Sequence, residues 1–196
     1  MSAGTVENPL APDANGFVRY RAFEGLNAAA RQRLSRAAKS GELLPVRPGL
    51  YYRGVKTQYG MVPPRPIDVA RAIWGERGIG PSGFSAAREW GLTSQIPTAL
   101  HVATLWTVAE VKGIVQHSRR NQARHDLNWK EIALLELLRD MTVYVEAGWG
   151  SPAEKVLTAQ QDGSVNLERI ESALQTERRP TARRDFATLM GVMGVS

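Results

Sequence analysis

Apolar residues recur along this chain in two rhythms, one helical and one extended. Between Ala28 and Lys39, Leu34 follows Ala30 by four residues, and Ala37 and Ala38 follow Leu34 by three and four. That spacing predicts a helix with one apolar face. Asn27 is a suitable N-cap, and Gly41 is a suitable stop. The preceding FVRYRAFEGL, residues 17–26, reads as a short helical turn with Phe17, Phe23 and Leu26 facing inward. Residues 42–54, ELLPVRPGLYYRG, read as a hairpin. Two strand-like runs flank Arg47-Pro48-Gly49-Leu50, and proline then glycine at the central positions suits a type II turn. Packing is the expected role of Tyr51 and Tyr52.

Further helices are predicted over Ile67–Trp74, Phe84–Trp90, Trp129–Asp140, Asn166–Thr176 and Thr181–Met193. WKEIALLELLRD, residues 129–140, reads as amphipathic, and Gly91 ends the 84–90 helix. Strands are expected in HVATLWTV (101–108) and VKGIVQHS (111–118). Residues 1–16, with Pro9, Pro12, Gly4 and Gly16, read as a flexible arm. The Pro- and Gly-rich run KTQYGMVPPRP marks a boundary. The expected organisation is an arm (1–16), a small module (17–58) and a mixed helix and strand domain (59–196), hence an α+β fold.

Charge distinguishes the modules. Residues 1–58 hold nine Lys/Arg against four Asp/Glu, a balance of +5; the remaining sixteen against fifteen give +1. A basic module joined to a near-neutral one points to a polyanionic partner. On the 28–39 helix, Gln32, Arg36 and Lys39 lie opposite the apolar face. Ala28, Ala29 and Ser35 lie near them, with Arg31 and Arg33 on the flanks. Small residues permit close approach to a major groove, and Gln and Arg make paired hydrogen bonds to adenine and guanine edges. Flanking arginines reach phosphates. Arg47 at the hairpin tip and Arg53 at its exit are placed for a neighbouring phosphate or minor groove. Helix, helix and basic hairpin is the order of a winged helix-turn-helix. The candidate DNA-binding residues are thus Ala28, Arg31, Gln32, Arg33, Ser35, Arg36, Lys39, Arg47 and Arg53.

Catalytic patterns are weak. The chain has 196 residues and no cysteine, which excludes disulfides, Cys-ligated metals and a Cys nucleophile. His101, His117 and His125 lack metal-pair spacing, and no G-x-S-x-G elbow is present. Gly78-Ile79-Gly80-Pro81-Ser82-Gly83 matches G-x-G-x-x-G, but a helix precedes it and Pro81 removes an amide donor. It reads as a tight turn seating the next helix, with Ser82 as N-cap. No enzyme activity, cofactor or metal is expected. Arg119-Arg120-Asn121-Gln122-Ala123-Arg124-His125 reads as a solvated basic loop, with contact to DNA phosphates or an anionic partner as the alternative. Arg178, Arg179, Arg183 and Arg184, around Pro180, are a second cluster suited to nucleic acid or a partner. Core packing accounts for the five tryptophans. No apolar run reaches the ~18 residues of a membrane span, and the first residues lack signal-peptide character, so the cytoplasm is the expected compartment.

GFVRYRAFEGLNAAARQRLSRAAKSGELLPVRPGLYYRG resembles the N-terminal winged helix-turn-helix of AbiEi-type antitoxins of bacterial type IV toxin–antitoxin systems. The resemblance continues through Gly80-Pro81-Ser82-Gly83, Gly91-Leu92-Thr93-Ser94-Gln95-Ile96-Pro97 and the helix ending Leu137-Leu138-Arg139-Asp140. It implies a DNA-binding repressor of its own operon, with a C-terminal domain that counteracts a nucleotidyltransferase-like toxin without a stable complex. It also implies that Ala28–Lys39 is the recognition helix and Val46–Tyr51 the wing. The family has a helix before the Phe17 segment, where this chain has a Pro-containing stretch. Double-stranded operator DNA is the expected partner. Operator symmetry requires a dimer or cooperative monomers. A solitary regulator, or a module binding RNA or an acidic protein, is the alternative.

Overall fold

The helix expected over Ala28–Lys39 (α1) has those bounds in the computed structural model, which describes residues 10–20, 28–146 and 148–194. Asn27, Phe23 and Leu26 lie outside the described residues. α1 buries Ala30, Leu34 and Ala37, and Arg36 and Lys39 occupy its last turn, where positive charge complements the helix dipole. Its end is set by Gly41, whose φ of 69° is left-handed. The Glu42 amide then donates to Ala37 O (2.8 Å) and the Gly41 amide to Ala38 O (3.2 Å). These two bonds satisfy carbonyls the helix would leave unpaired.

Packing divides the chain into two compact units, Met1–Ala72 and Ile73–Ser196. In the first, Phe17–Arg19 is a strand (β1), not the expected helical turn. Leu44–Arg47 (β2) and Leu50–Tyr52 (β3) form the expected hairpin, and Gly49 has the positive φ (78°) that a type II turn needs. β1 pairs antiparallel with β3, so the sheet order is β1-β3-β2. The reason for the correction is long-range pairing: Phe17 faces Tyr52, their rings 5.2 Å apart, and Val18 faces Tyr51. Three residues carry too little periodicity to declare such a partner. Part of the expected arm is also ordered. Asp13 accepts the amides of Asn15 and Phe17, both at 2.9 Å, and Leu10 packs on a cluster of Val18, Leu34, Ala37 and Leu43. Residues 1–9 lie outside the described residues. A small hairpin, Lys56–Thr57 (β4) with Gly60–Met61 (β5), occupies the Pro/Gly-rich run. Pro66–Trp74 (α2) follows and spans the division between the units.

The second unit combines Gly80–Pro81 (β6), Phe84–Glu89 (α3), Leu100–Thr104 (β7) and Ile114–Ser118 (β8) with a helical C-terminal half. β7 pairs antiparallel with β6 and parallel with β8. Trp129–Leu138 (α4) is the centre of its core. Met141–Tyr144 (α5), Gly150–Gln161 (α6), Leu167–Gln175 (α7) and Pro180–Met193 (α8) follow. The hydrophobic pattern assigns no element to α6, although Ala153, Val156 and Ala159 form its buried face.

α4 is not the amphipathic helix its sequence suggests. Every residue but Lys130 is buried, Glu131 and Glu136 included. A helix enclosed on all sides must satisfy its carboxylates internally. Glu131 closes a capping box with Asn128, accepts the Asn166 amide at 2.8 Å and takes Arg169 Nη2 at 2.6 Å. One carboxylate thus ties the start of α4 to the start of α7. Against β6 the approach is tight: a Cβ on Gly80 would lie 2.5 Å from Ile132 Cβ and 2.6 Å from the Trp129 carbonyl. The glycine therefore serves helix–strand packing. Ser82 is not an N-cap either; α3 has no side-chain cap, and the Ser82 hydroxyl donates to Glu136 at 2.8 Å. Trp74, Trp90 and Trp129 are buried as expected, whereas Trp106 is 50% exposed. Among the described residues, no helix is long and apolar enough to cross a membrane.

Candidate functional site

The basic surface of the first unit is built by α1 and the hairpin after it. Because Ala30, Leu34 and Ala37 turn inward, helical geometry turns Ala28, Arg31, Gln32, Arg33, Ser35, Arg36 and Lys39 outward, and all seven are exposed. The side chains of Gln32, Arg33, Arg36 and Lys39 make no hydrogen bond or ion pair with any described residue. Arg31 is held: its guanidinium lies 5.5 Å from the Tyr20 ring centroid and 3.4 Å from the Tyr20 hydroxyl. That contact fixes a cation at the edge of the face rather than its centre. The Tyr20 amide in turn donates to Gly49 O at 2.9 Å, joining the end of β1 to the β2–β3 turn.

The two hairpin arginines differ. Arg47, at the end of β2, is half-buried and has no ion-pair partner among the described residues. Arg53 is also half-buried, but it pairs with Glu42 at 2.5 Å, so its charge is already engaged. Among the described residues, the face that can meet a polyanion without breaking an existing pair therefore consists of Gln32, Arg33, Arg36 and Lys39, with Arg47. Exposed, unpaired guanidinium groups and a free carboxamide are the chemistry that paired hydrogen bonds to base edges require.

In the second unit several arginines are instead engaged by carboxylates. Arg119 and Arg124 are not part of a solvated loop. Arg124, in a 3₁₀ turn at Gln122–Arg124, is 1% exposed. It donates to Glu136 Oε1 and to Glu177 Oε2, each at 2.6 Å. Arg119 holds Glu136 with two nitrogens, Nε at 3.0 Å and Nη2 at 2.8 Å, and Arg139 donates to Glu177. Burial raises the Glu136 carboxyl, but Arg124 and Arg119 outweigh it by charge and hydrogen bonding and hold it at about 2. Burial likewise pushes the Glu177 carboxyl up, and Arg124 and Arg139 bring it below its ordinary range. Beside this network, His101 Nδ1 and His117 Nε2 are 3.0 Å apart, with the rings stacked. Burial, then the charges of Arg119 and His101, lower the His117 imidazole.

The arginines near Pro180 are also mostly engaged. Arg179 pairs with Asp140, Arg183 donates to Glu177 O at 2.6 Å, and Arg184 contacts Asp185 at 3.0 Å. Arg178 is exposed and has no such partner among the described residues. The sequence did carry one signal for this cluster. A glutamate inside the run Leu134-Leu135-Glu136-Leu137-Leu138 has to be buried, and a buried carboxylate needs cationic partners. Nothing local marks Glu177. Among the described residues, no group of three His, Asp or Glu side chains is placed to hold a metal ion.

No protein-family model matches this chain, and no curated protein matches it. A solved structure, that of the RV2827C protein from Mycobacterium tuberculosis, is similar over 87% of this chain and 67% of its own, at 14% identity and a TM-score of 0.43.

Proposed function

We propose that the chain is a cytoplasmic, sequence-specific DNA-binding repressor in which residues 17–58 act as a winged helix-turn-helix and α1 enters a major groove. The observation that carries this reading is the exposed polar face of α1, in which Gln32, Arg33, Arg36 and Lys39 pair with no described residue, opposite a buried apolar face of Ala30, Leu34 and Ala37. Two further features support it. A basic helix stands between β1 and the β2–β3 hairpin in a sheet ordered β1-β3-β2, and Arg47 lies at that hairpin's turn. Gln32 and Arg36 read base edges in this scheme; Arg31, Arg33, Lys39 and Arg47 contact phosphates. The resemblance to AbiEi-type antitoxins extends the reading to repression of the chain's own operon and to opposition of a nucleotidyltransferase-like toxin.

Footprinting and mobility-shift titration on the DNA upstream of the gene test the binding step. Affinity should fall steeply with salt, because each neutralised phosphate releases a counterion. Gln32→Ala and Arg36→Ala should each cost about 1–3 kcal/mol at particular base pairs. Arg47→Ala should weaken all sequences evenly. Normal operator binding by the Gln32 and Arg36 variants would remove α1 from the groove. Growth rescue on co-expression with an adjacent nucleotidyltransferase-like gene tests the antitoxin step. A reading-frame neighbourhood without one leaves a solitary regulator.

A further inference from the structure

The second unit contains a concavity of about 690 Å³ between the end of β8, the 3₁₀ turn and the C-terminal ends of α4 and α7. Among the described residues its charged lining is Arg119, Arg120, Arg139 and Arg178 against one carboxylate, Glu177. Arg124 and Glu136 lie buried in the same ion-pair network, bonded to Glu177 and Arg119 respectively. Three guanidinium groups (Arg119, Arg124, Arg139) thus share two carboxylates (Glu136, Glu177), which leaves one excess positive charge in a largely buried network. Arg120 and Arg178 add two more at the rim, and neither has a hydrogen bond or ion pair with a described residue.

We propose that this concavity is a binding site for a small ligand bearing a doubly charged phosphate, a monoester or a pyrophosphate. Positive charge that is partly withdrawn from water, and not matched by local carboxylates, attracts a multivalent anion most strongly. Guanidinium forks match phosphate oxygens in pairs. Both carboxylates are already held by arginines at hydrogen-bonding distance, so neither projects an uncompensated charge at the ligand. The volume falls within the range of small-molecule sites and exceeds what inorganic phosphate fills. Among the described residues no aromatic side chain lines it, so the phosphate rather than a stacked base supplies the recognition. Gln122, exposed at the 3₁₀ turn, can donate to the remainder of the ligand. The site lies wholly in the second unit and stands independently of the DNA-binding reading.

The test uses the full chain and inorganic pyrophosphate, followed by calorimetry at constant ionic strength. Wild type should show saturable binding. Arg120→Ala with Arg178→Ala should weaken it by roughly tenfold, since these side chains support no fold contact. Arg36→Ala with Lys39→Ala controls for the other basic surface and should leave pyrophosphate binding unchanged. A short duplex added as competitor identifies the source of the phosphate, and pyrophosphate affinity should persist in its presence. No saturable binding up to about 10 mM pyrophosphate overturns the proposal. So does equal binding by the Arg120/Arg178 variant, loss of binding in the Arg36/Lys39 variant, or displacement of pyrophosphate by duplex through the same two arginines.

Discussion

α1 and α4 are helices of similar length, twelve residues and ten, with opposite relations to charge. α1 turns its arginines and lysine to solvent and buries only small or aliphatic residues. α4 is enclosed on every side, and its two glutamates are buried with it. The same contrast separates the arginines. Arg33 and Arg36, like Gln32 beside them, have no partner among the described residues, and their donors face away from the buried side of α1. Arg124 is inaccessible and spends both terminal nitrogens on Glu136 and Glu177. A basic run in a sequence therefore has two meanings. The distinction lies in whether carboxylates converge on it from elements distant in sequence.

Removing Arg124 should produce the largest difference between the two kinds of arginine. Arg124→Ala leaves Glu136 and Glu177 buried with their charges less compensated, and about 3–5 kcal/mol of stability should be lost in denaturant unfolding. Arg36→Ala, by contrast, should stay within about 0.5 kcal/mol in the same assay. Similar stability losses for both variants would erase the comparison.

Acid should act in the same sense. The folded Glu136 carboxyl titrates near 2, below its ordinary value of 4.5, so around pH 3–4 the native state binds fewer protons than the unfolded one. Its contribution is complete above about pH 4.5 and is lost as pH falls through 2; the depressed Glu177 carboxyl has the same sign. The amount at stake for Glu136 is on the order of 3 kcal/mol. A pH series of unfolding midpoints should fall on that limb, and Glu136→Gln should flatten it while lowering stability at neutral pH. A slope unaltered by Glu136→Gln would place the acid-sensitive group elsewhere.

Arg53 is the intermediate case, between Arg124 and Arg36. Its pair with Glu42 is partly exposed, so Arg53→Ala should cost less than about 1 kcal/mol of stability, diminishing with added salt. If Arg53 also contacts DNA, that contact has to compete with Glu42. Glu42→Gln should then tighten operator binding, and an unchanged affinity would leave Arg53 as a structural residue only.

Legibility along the chain follows the range of the forces. α1 was readable to the residue because Ala30, Leu34, Ala37 and Gly41 are one another's near neighbours. The β2–β3 turn was readable because Pro48 and Gly49 constrain their own dihedral angles. β1 departs from the local pattern because a three-residue strand acquires its identity from Tyr51 and Tyr52, more than thirty residues on. α4 is a helix by its sequence, but its environment is not legible there: Glu131 and Glu136 read as exposed polar positions, whereas Arg169, Arg119 and Arg124 meet them in the interior. α6 has no strong signal in the sequence, since small residues such as Ala153 and Ala159 give only a weak apolar rhythm. For the candidate DNA face, the sequence wheel and the exposed side of α1 name the same residues. For the concavity in the second unit, the two basic runs that hold Arg119, Arg120 and Arg178 are visible in the sequence, but their convergence with Arg139 on one surface is not.

The amino-acid order alone determined the α+β character, the stop and polarity of α1, and the concentration of positive charge in the first 58 residues. Those properties arise from interactions within a turn or two of chain. Tertiary structure alone decided which arginines are free and which are spent. That choice depends on Glu136 and Glu177, some forty residues apart in the chain, converging on Arg124, and on burial making their pairing compulsory.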